Sequence, residues 1–160
     1  MRVILSILFL LAFVGARAEE IFPVGCTPLV LHDEAIKLSA EKPVLVMLHN
    51  LSKTDLWMIH PESESSAHVS WSSLLQAGRW SALALDKKLF ELSCIESRPG
   101  HEQQVPCAGL VVACQWHNVK GPKKETGTFW AGEDMRLSAL TAHVGSRGFI
   151  LAAPAQSVLD

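Results

Sequence analysis

The sequence of 160 residues contains no tyrosine, and basic residues are not in excess. Its 14 lysines and arginines are outnumbered by 16 aspartates and glutamates, which gives a formal net charge of −2. Because the chain lacks a basic stripe that would neutralise phosphates, nucleic-acid binding is disfavoured. Beyond residue 18 no apolar run approaches the roughly 20 residues that a membrane-spanning helix needs. We therefore expect no transmembrane segment in the mature chain.

Two motifs of catalysis and metal binding are also missing. The chain has neither the Gly-x-Ser-x-Gly turn of serine hydrolases nor a Cys-x-x-Cys pair for zinc. Glu62 and Glu64 lie in a polar stretch, where no burial would tune a carboxylate for acid catalysis. We therefore expect a protein that is not an enzyme and that holds no cofactor or metal. A cell-wall or glycan hydrolase remains an alternative.

The N-terminus carries the clearest signal in the chain. Residues 1–18 comprise a basic start, an apolar run over 3–14 interrupted only by Ser6, and a small-x-small site that ends at Ala18. This layout is typical of a secretory signal peptide. It predicts a single mature domain, residues 19–160, in the periplasm or outside the cell.

Four cysteines in an exported chain predict two disulfides, for which three pairings exist. Alternating patterns surround both Cys94 and Cys107, and a turn-like stretch at Gly100 separates them. If the chain folds back about Gly100, Cys94 lies opposite Cys107, at a separation that a disulfide can bridge. This geometry leaves Cys26 to pair with Cys114.

Short apolar or alternating runs separated by turns predict a chain of many strands. Residues 44–49 and 56–60 are expected to form a hairpin about the polar turn 50–55. Residues 29–40 fit either a short strand or a weak helix. Further strands are expected at residues 68–72, 79–85, 89–95, 105–116, 128–131 and 149–153.

Only residues 134–144 have a helical apolar pattern, with Asp134 available as the N-cap. A chain of short strands with one late helix is typical of a mainly β fold. We expect a small antiparallel β-sandwich or open barrel with one short C-terminal helix and two disulfides.

Tryptophan is the main large side chain, and it serves both protein cores and binding surfaces. Five tryptophans lie in predicted strands among apolar residues, which favours core packing, with a surface that stacks on sugars or peptides as the alternative: Trp57, Trp71, Trp80, Trp116 and Trp130. The Arg79-Trp80 pair is of interest because an arginine beside an aromatic ring can stack or bind a carboxylate. Trp57, Trp71, Arg79 and Trp80 are therefore candidate binding residues.

His60 and His68 are two further candidates because they flank one polar stretch, residues 61–66. Together with a third histidine they would make the chain a periplasmic metal-binding protein, since imidazole is a common metal ligand. Their spacing matches no known ligand pattern, so we keep metal binding as an alternative hypothesis.

Residues 48–148 carry a run of motifs that belong together. They are Leu48-His49-Asn50, Leu56-Trp57, His60-Pro61, Trp71-Ser72-Ser73-Leu74, Gly78-Arg79-Trp80-Ser81-Ala82-Leu83, Phe90-Glu91-Leu92-Ser93-Cys94, the Cys107 and Cys114 pair, Phe129-Trp130 and Leu137-Ser138-Ala139-Leu140. In these motifs the chain resembles the EnhB type of enhanced-entry protein of intracellular gram-negative pathogens. The resemblance implies a small exported factor linked to invasion of host cells or survival inside them, and it brings no catalytic residues with it. Together these observations predict an exported, non-enzymatic protein that binds a partner protein or an envelope component.

Overall fold

The computed structural model describes residues 22–32, 34–60, 71–86, 89–116 and 127–151. Within these ranges the chain forms ten strands and one helix, which confirms the mainly β prediction. The strands are β1 (Cys26–Leu29), β2 (Ile36–Leu38), β3 (Val44–Asn50), β4 (Leu56–His60), β5 (Trp71–Leu75), β6 (Trp80–Leu85), β7 (Phe90–Arg98), β8 (His101–Val105), β9 (Val111–Trp116) and β10 (Phe129–Met135), and the helix is α1 (Leu137–Ser146).

The strands form two antiparallel sheets that do not close into a barrel, so the sandwich is the fold observed. The first sheet has the order β1-β9-β3-β6-β10, and the second has the order β2-β7-β4-β5. Strand β8 also pairs with β7. Since β4 occupies one side of β7, β2 and β8 share its other side.

The first sheet is buried on both faces. In β3, Val46 and Leu48 point into a core between the two sheets, whereas Leu45 and Met47 belong to a second core on the opposite face. Helix α1 contributes Leu140 and Val144 to that second core. A strand buried on both faces needs apolar side chains at every position, which explains the continuous run at residues 44–48.

Helix α1 lies close against β10. A Cβ atom added at Gly132 of β10 would clash with the Leu140 side chain, so a larger residue there would force Leu140 to move. The helix ends before Gly148, which has a φ of +90° that favours glycine. The next residue, Phe149, is buried in the second core, so the chain turns back onto the sheet.

The predicted start of the helix is wrong. Asp134 belongs to strand β10 and has a φ of +48°, and the N-cap position of α1 is occupied by Arg136, whose side chain makes no capping hydrogen bond. The Asp134 carboxylate instead accepts a hydrogen bond from the backbone N–H of Gln76, 2.8 Å away. The Asp134 carboxylate is therefore not available as an N-cap, and the helix starts later, at Leu137.

The predicted hairpin of residues 44–49 and 56–60 is also wrong. Both strands exist, but β3 pairs with β6 and β9 in the first sheet, whereas β4 pairs with β5 and β7 in the second. Residues 51–55 thus cross from one sheet to the other. Because β3 and β4 each have strand partners on both sides, they cannot pair with each other.

Asn50 fixes this crossing, and its side chain is fully buried. Its Nδ2 donates to the carbonyl oxygens of Thr54 at 2.8 Å and Leu75 at 2.9 Å. Its Oδ1 accepts from the backbone N–H and the hydroxyl of Ser52. A single amide therefore joins the end of β3, the crossing loop and the end of β5.

Both predicted disulfides, Cys26–Cys114 and Cys94–Cys107, are present, each with a Cα–Cα distance of 5.4 Å. All four cysteines are buried, and one bridge lies in each core. The hairpin about Gly100 is confirmed too, although Val105, not Cys107, is the residue opposite Cys94.

The long strand predicted at 105–116 is divided in two. Strand β8 ends at Val105, and the chain then moves to the first sheet, where β9 begins at Val111. Pro106 cannot donate to a sheet, and the N–H groups of Leu110 and Val111 both donate to the Cys107 carbonyl. This tight turn, with Gly109 at a φ of +82°, ends one strand and begins the next.

Other expectations have mixed outcomes. Residues 29–40 contain the short strand β2 and no helix within their described part. The strand predicted at 68–72 overlaps β5, and residues 68–70 lie outside the described ranges. In the strand predicted at 149–153, Ile150 forms an isolated β-bridge, and residues 152–153 lie outside the described ranges. The leader, Glu62 and Glu64 also lie outside them.

The two disulfides close loops of 88 and 13 residues, so their removal should reduce stability by different amounts. In the chain-entropy model, the Cys26→Ala/Cys114→Ala variant should lose about 4–5 kcal/mol and the Cys94→Ala/Cys107→Ala variant about 3 kcal/mol. Urea unfolding of the oxidised variants measures both losses. An equal or reversed order would contradict the loop-length argument.

Asn50→Ala should destabilise the protein by about 1–3 kcal/mol, because the buried Leu75 carbonyl loses its donor, whereas the Thr54 carbonyl keeps the Ser52 hydroxyl. Leu51→Ala is the matched control, since Leu51 is 54% exposed and should change stability by less than about 0.5 kcal/mol. Urea unfolding of both variants gives the comparison. Similar stabilities for the two variants would refute the role assigned to the Asn50 amide.

Candidate functional site

The two sheets meet along one side of the sandwich, where edge strand β5 lies beside edge strand β10. The turn that follows β5 joins them, since the N–H of Gln76 donates to Asp134 of β10. The next residue, Ala77, donates its N–H to the carboxylate of Asp55 at 3.1 Å. Carboxylates from the crossing loop and from strand β10 thus hold this turn. We call the side of the sandwich where β5 and β10 meet the seam.

Strand β10 is irregular along the seam. Its register against β6 shifts between Trp130 and Gly132 and again between Gly132 and Met135. At the second shift Asp134 has a positive φ, which aspartate tolerates better than most residues. Its N–H donates to the buried hydroxyl of Ser81 at 3.0 Å, and this bond replaces one that the regular ladder would have made.

An open groove of about 350 Å³ lies in the seam. Its walls are formed by Ser72 of β5, by Phe129, Trp130 and Glu133 of β10, and by Thr128, which precedes β10. We call these five residues the seam groove. Its volume is at the lower end of the range found for ligand pockets, roughly 300–1,000 Å³.

Hydrogen bonds hold the β10 wall of the seam groove in place. The Thr128 hydroxyl donates to the Asp86 carboxylate at 2.9 Å. Nη1 of Arg147 donates to the carbonyl oxygens of Trp130 and Ala131 at 2.9 and 3.0 Å, and its guanidinium lies 5.2 Å from the centre of the Phe129 ring. The wall is therefore fixed from both of its ends before any ligand arrives.

The candidate tryptophans predicted from the sequence do not come together. Trp80 is buried in the second core, on the outer face of the first sheet. Trp57 is half-buried on β4 between Leu56 and Met58, both of which point into the core between the sheets. Because side chains alternate along a strand, Trp57 faces outward from the second sheet. Trp57 and Trp80 thus lie on opposite sides of the sandwich.

The remaining candidates are also dispersed. The His60 ring stacks on Phe90 with 4.3 Å between ring centres, and its Nδ1 lies 2.8 Å from the Glu91 carbonyl. Strand pairing places Trp71 opposite His60, whereas His68 lies outside the described ranges. Arg79 uses its backbone to bind the Asn50 and Gln76 backbones. A binding role for these residues stays a prediction.

Two other tryptophans have different environments. Trp116 is buried, and its indole N–H donates to the Met47 sulfur at 3.1 Å. Trp130 packs partly against the core between the sheets and also lines the seam groove. Sequence reasoning singled out Trp130 only as one of five tryptophans and missed Ser72, Thr128 and Glu133. Only the pairing of the strands places these residues side by side.

His49 is directly opposite Trp80 in the pairing of β3 with β6. The two rings stack almost parallel, with 4.2 Å between their centres, and Phe22 packs edge-on against Trp80. Burial against these rings lowers the pKa of His49 below its ordinary value, and a hydrogen bond with the Gly78 backbone partly opposes that change. His49 therefore stacks against the second core, and burial favours its neutral form.

The metal-binding alternative gains no support from the described part of the chain, where no group of three or more histidine, cysteine, aspartate or glutamate side chains could hold an ion. Within the same part, no helix is long and apolar enough to cross a membrane.

Comparisons of the chain with protein-family models, with curated proteins and with solved structures yield no match. The resemblance to enhanced-entry proteins consequently rests on the sequence motifs alone.

Stability should depend on pH through His49. A folded-state pKa below the unfolded value of about 6.5 gives stability that is complete above that pH and declines as the pH falls towards the folded pKa. The stability advantage of the wild type over His49→Gln should therefore shrink from about pH 7 to about pH 5, as measured by urea unfolding. His101→Gln, which removes an exposed imidazole, is the control. An NMR titration that places the pKa of His49 at or above 6.5 would contradict this account.

Proposed function

We propose that the protein is an exported, non-enzymatic binding module and that the seam groove is the site where it binds a partner protein or an envelope component. In this proposal the leader is removed after Ala18, and residues 19–160 act in the periplasm or outside the cell. The two buried disulfides support export, because such bonds persist in oxidising compartments.

The observation that carries the proposal is the seam groove itself. It combines two aromatic side chains, Phe129 and Trp130, with a carboxylate and two hydroxyl groups. A concave surface with apolar walls and a few polar groups is the usual form of a binding site. Its walls come from two edge strands of a disulfide-bonded sandwich, which limits the conformational entropy that binding would remove.

The composition of the seam groove favours binding over turnover. Among the described residues that form it, Glu133 is the only ionisable side chain, and no histidine or cysteine accompanies it. General acid–base or covalent catalysis uses a second group placed within hydrogen-bond reach of the first. A single exposed carboxylate beside aromatic rings is suited to recognition.

The resemblance to enhanced-entry proteins of the EnhB type fits this proposal. A small exported module with a rigid groove would act by contact with a partner, and invasion of host cells or survival inside them would then depend on that contact.

Blocking the seam groove should abolish partner binding. Ser72 is exposed on edge strand β5, so Ser72→Tyr should place a phenol ring in the groove without disturbing a core. We expect capture of the partner from envelope extract and culture medium to fall roughly tenfold or more, because steric clash removes binding outright. Quantitative mass spectrometry of the captured material provides the measurement.

Ser138→Tyr is the matched control, since Ser138 is exposed on helix α1 and does not line the seam groove. Both variants must show the urea midpoint of the wild type. If Ser72→Tyr and Ser138→Tyr capture the same proteins in the same amounts, or if the wild type captures nothing above background, the proposed function is rejected.

A further inference from the structure

We propose that the seam groove takes an extended peptide segment that presents a lysine or arginine side chain, with the cation held between Glu133 and the aromatic wall. This inference rests on the proposed function, and it names the chemistry of the partner.

The charges around the seam groove favour a cation. Glu133 is exposed, and it makes no hydrogen bond or ion pair with another residue of the described chain. A second carboxylate, that of Asp86, binds Thr128 at the groove wall. Arg147, which contacts the same wall, donates its Nη1 to two carbonyl oxygens of β10. Within the described residues, Glu133 is thus available to a cationic ligand group.

The aromatic residues of the wall suit the same ligand. The face of an aromatic ring attracts a cation, and tryptophan is the strongest partner of this kind. The wall already contains one such pair, Arg147 over Phe129 at 5.2 Å. A ligand guanidinium or ammonium group near Trp130 would repeat this interaction within reach of the Glu133 carboxylate.

Because the seam groove lies between two edge strands, it favours an extended ligand. Among the described strands, β5 pairs only with β4, and β10 pairs only with β6. Among the described strands, each therefore lacks a strand partner on its second side. On β10, Arg147 already binds the carbonyl oxygens of Trp130 and Ala131, so we expect an added strand to pair with β5. In an extended peptide alternate side chains point the same way, so every second residue can enter the groove.

The test uses a blocked nine-residue peptide of alternating threonine and arginine, together with an otherwise identical peptide that contains neutral citrulline. Isothermal titration of the full, oxidised protein gives the dissociation constants. Glu133→Gln should weaken binding of the arginine peptide roughly three- to tenfold, as expected for an exposed charge pair assisted by a ring. Citrulline should weaken binding to the wild type by a similar factor.

Glu102→Gln is the matched control, because it removes the same charge from exposed strand β8, which does not line the groove. It should leave the affinity unchanged, whereas Ser72→Tyr should abolish binding. Equal effects of Glu133→Gln and Glu102→Gln, equal binding of both peptides, or no binding at millimolar concentration would overturn the cationic-peptide inference. If partner capture is still sensitive to Ser72→Tyr in that case, the proposed function stands and only the ligand chemistry is wrong.

Discussion

The buried amide of Asn50 is the interaction on which the arrangement of the two sheets depends. The chain must leave the first sheet after β3 and enter the second at β4, and the buried backbone groups at the ends of the strands need partners. Asn50 supplies two donors and an acceptor at this point, and it reaches the Leu75 carbonyl at the end of β5. The position of β5 beside β10, and with it the seam groove, follows from that contact together with the bond between Asp134 and Gln76.

Much of the fold follows from local pattern. Alternation and turn residues identify strands β3, β4, β6 and β7, and the same alternation identifies the Cys94–Cys107 hairpin. Local pattern is insufficient where a side chain has a distant partner. Asp134 has the chemistry of an N-cap, but its carboxylate binds Gln76, which is 58 residues away. Likewise, the polar stretch at 51–55 has the composition of a hairpin turn, and nothing local reveals that β3 and β4 have other partners.

The candidate site was less accessible to sequence reasoning for a related reason. Tryptophan content indicates that aromatic surface exists but does not say which face of which sheet carries it. Trp80, which is opposite His49, is buried in the second core, whereas Trp57 faces outward from the other sheet and Trp130 reaches the seam. The seam groove combines Ser72 with residues 128–133, and only tertiary structure brings these segments together. Glu133 has no sequence feature that distinguishes it from other exposed glutamates.

The two sides of the sandwich are held together by different kinds of bond. The Cys26–Cys114 bridge joins β1 to β9, and the Cys94–Cys107 bridge joins β7 to the turn that leads into β9, so both lie towards the β1 edge of the first sheet. The seam lies at the opposite edge, where hydrogen bonds of Asn50, Asp55 and Asp134 make the connections. A single hydrogen bond contributes less than a covalent bridge, so the seam depends on several of them acting together. The bonds of Thr128 and Arg147 hold the β10 wall, and the bonds of Asp55 and Asp134 hold the turn after β5, while the disulfides keep the opposite edge in register.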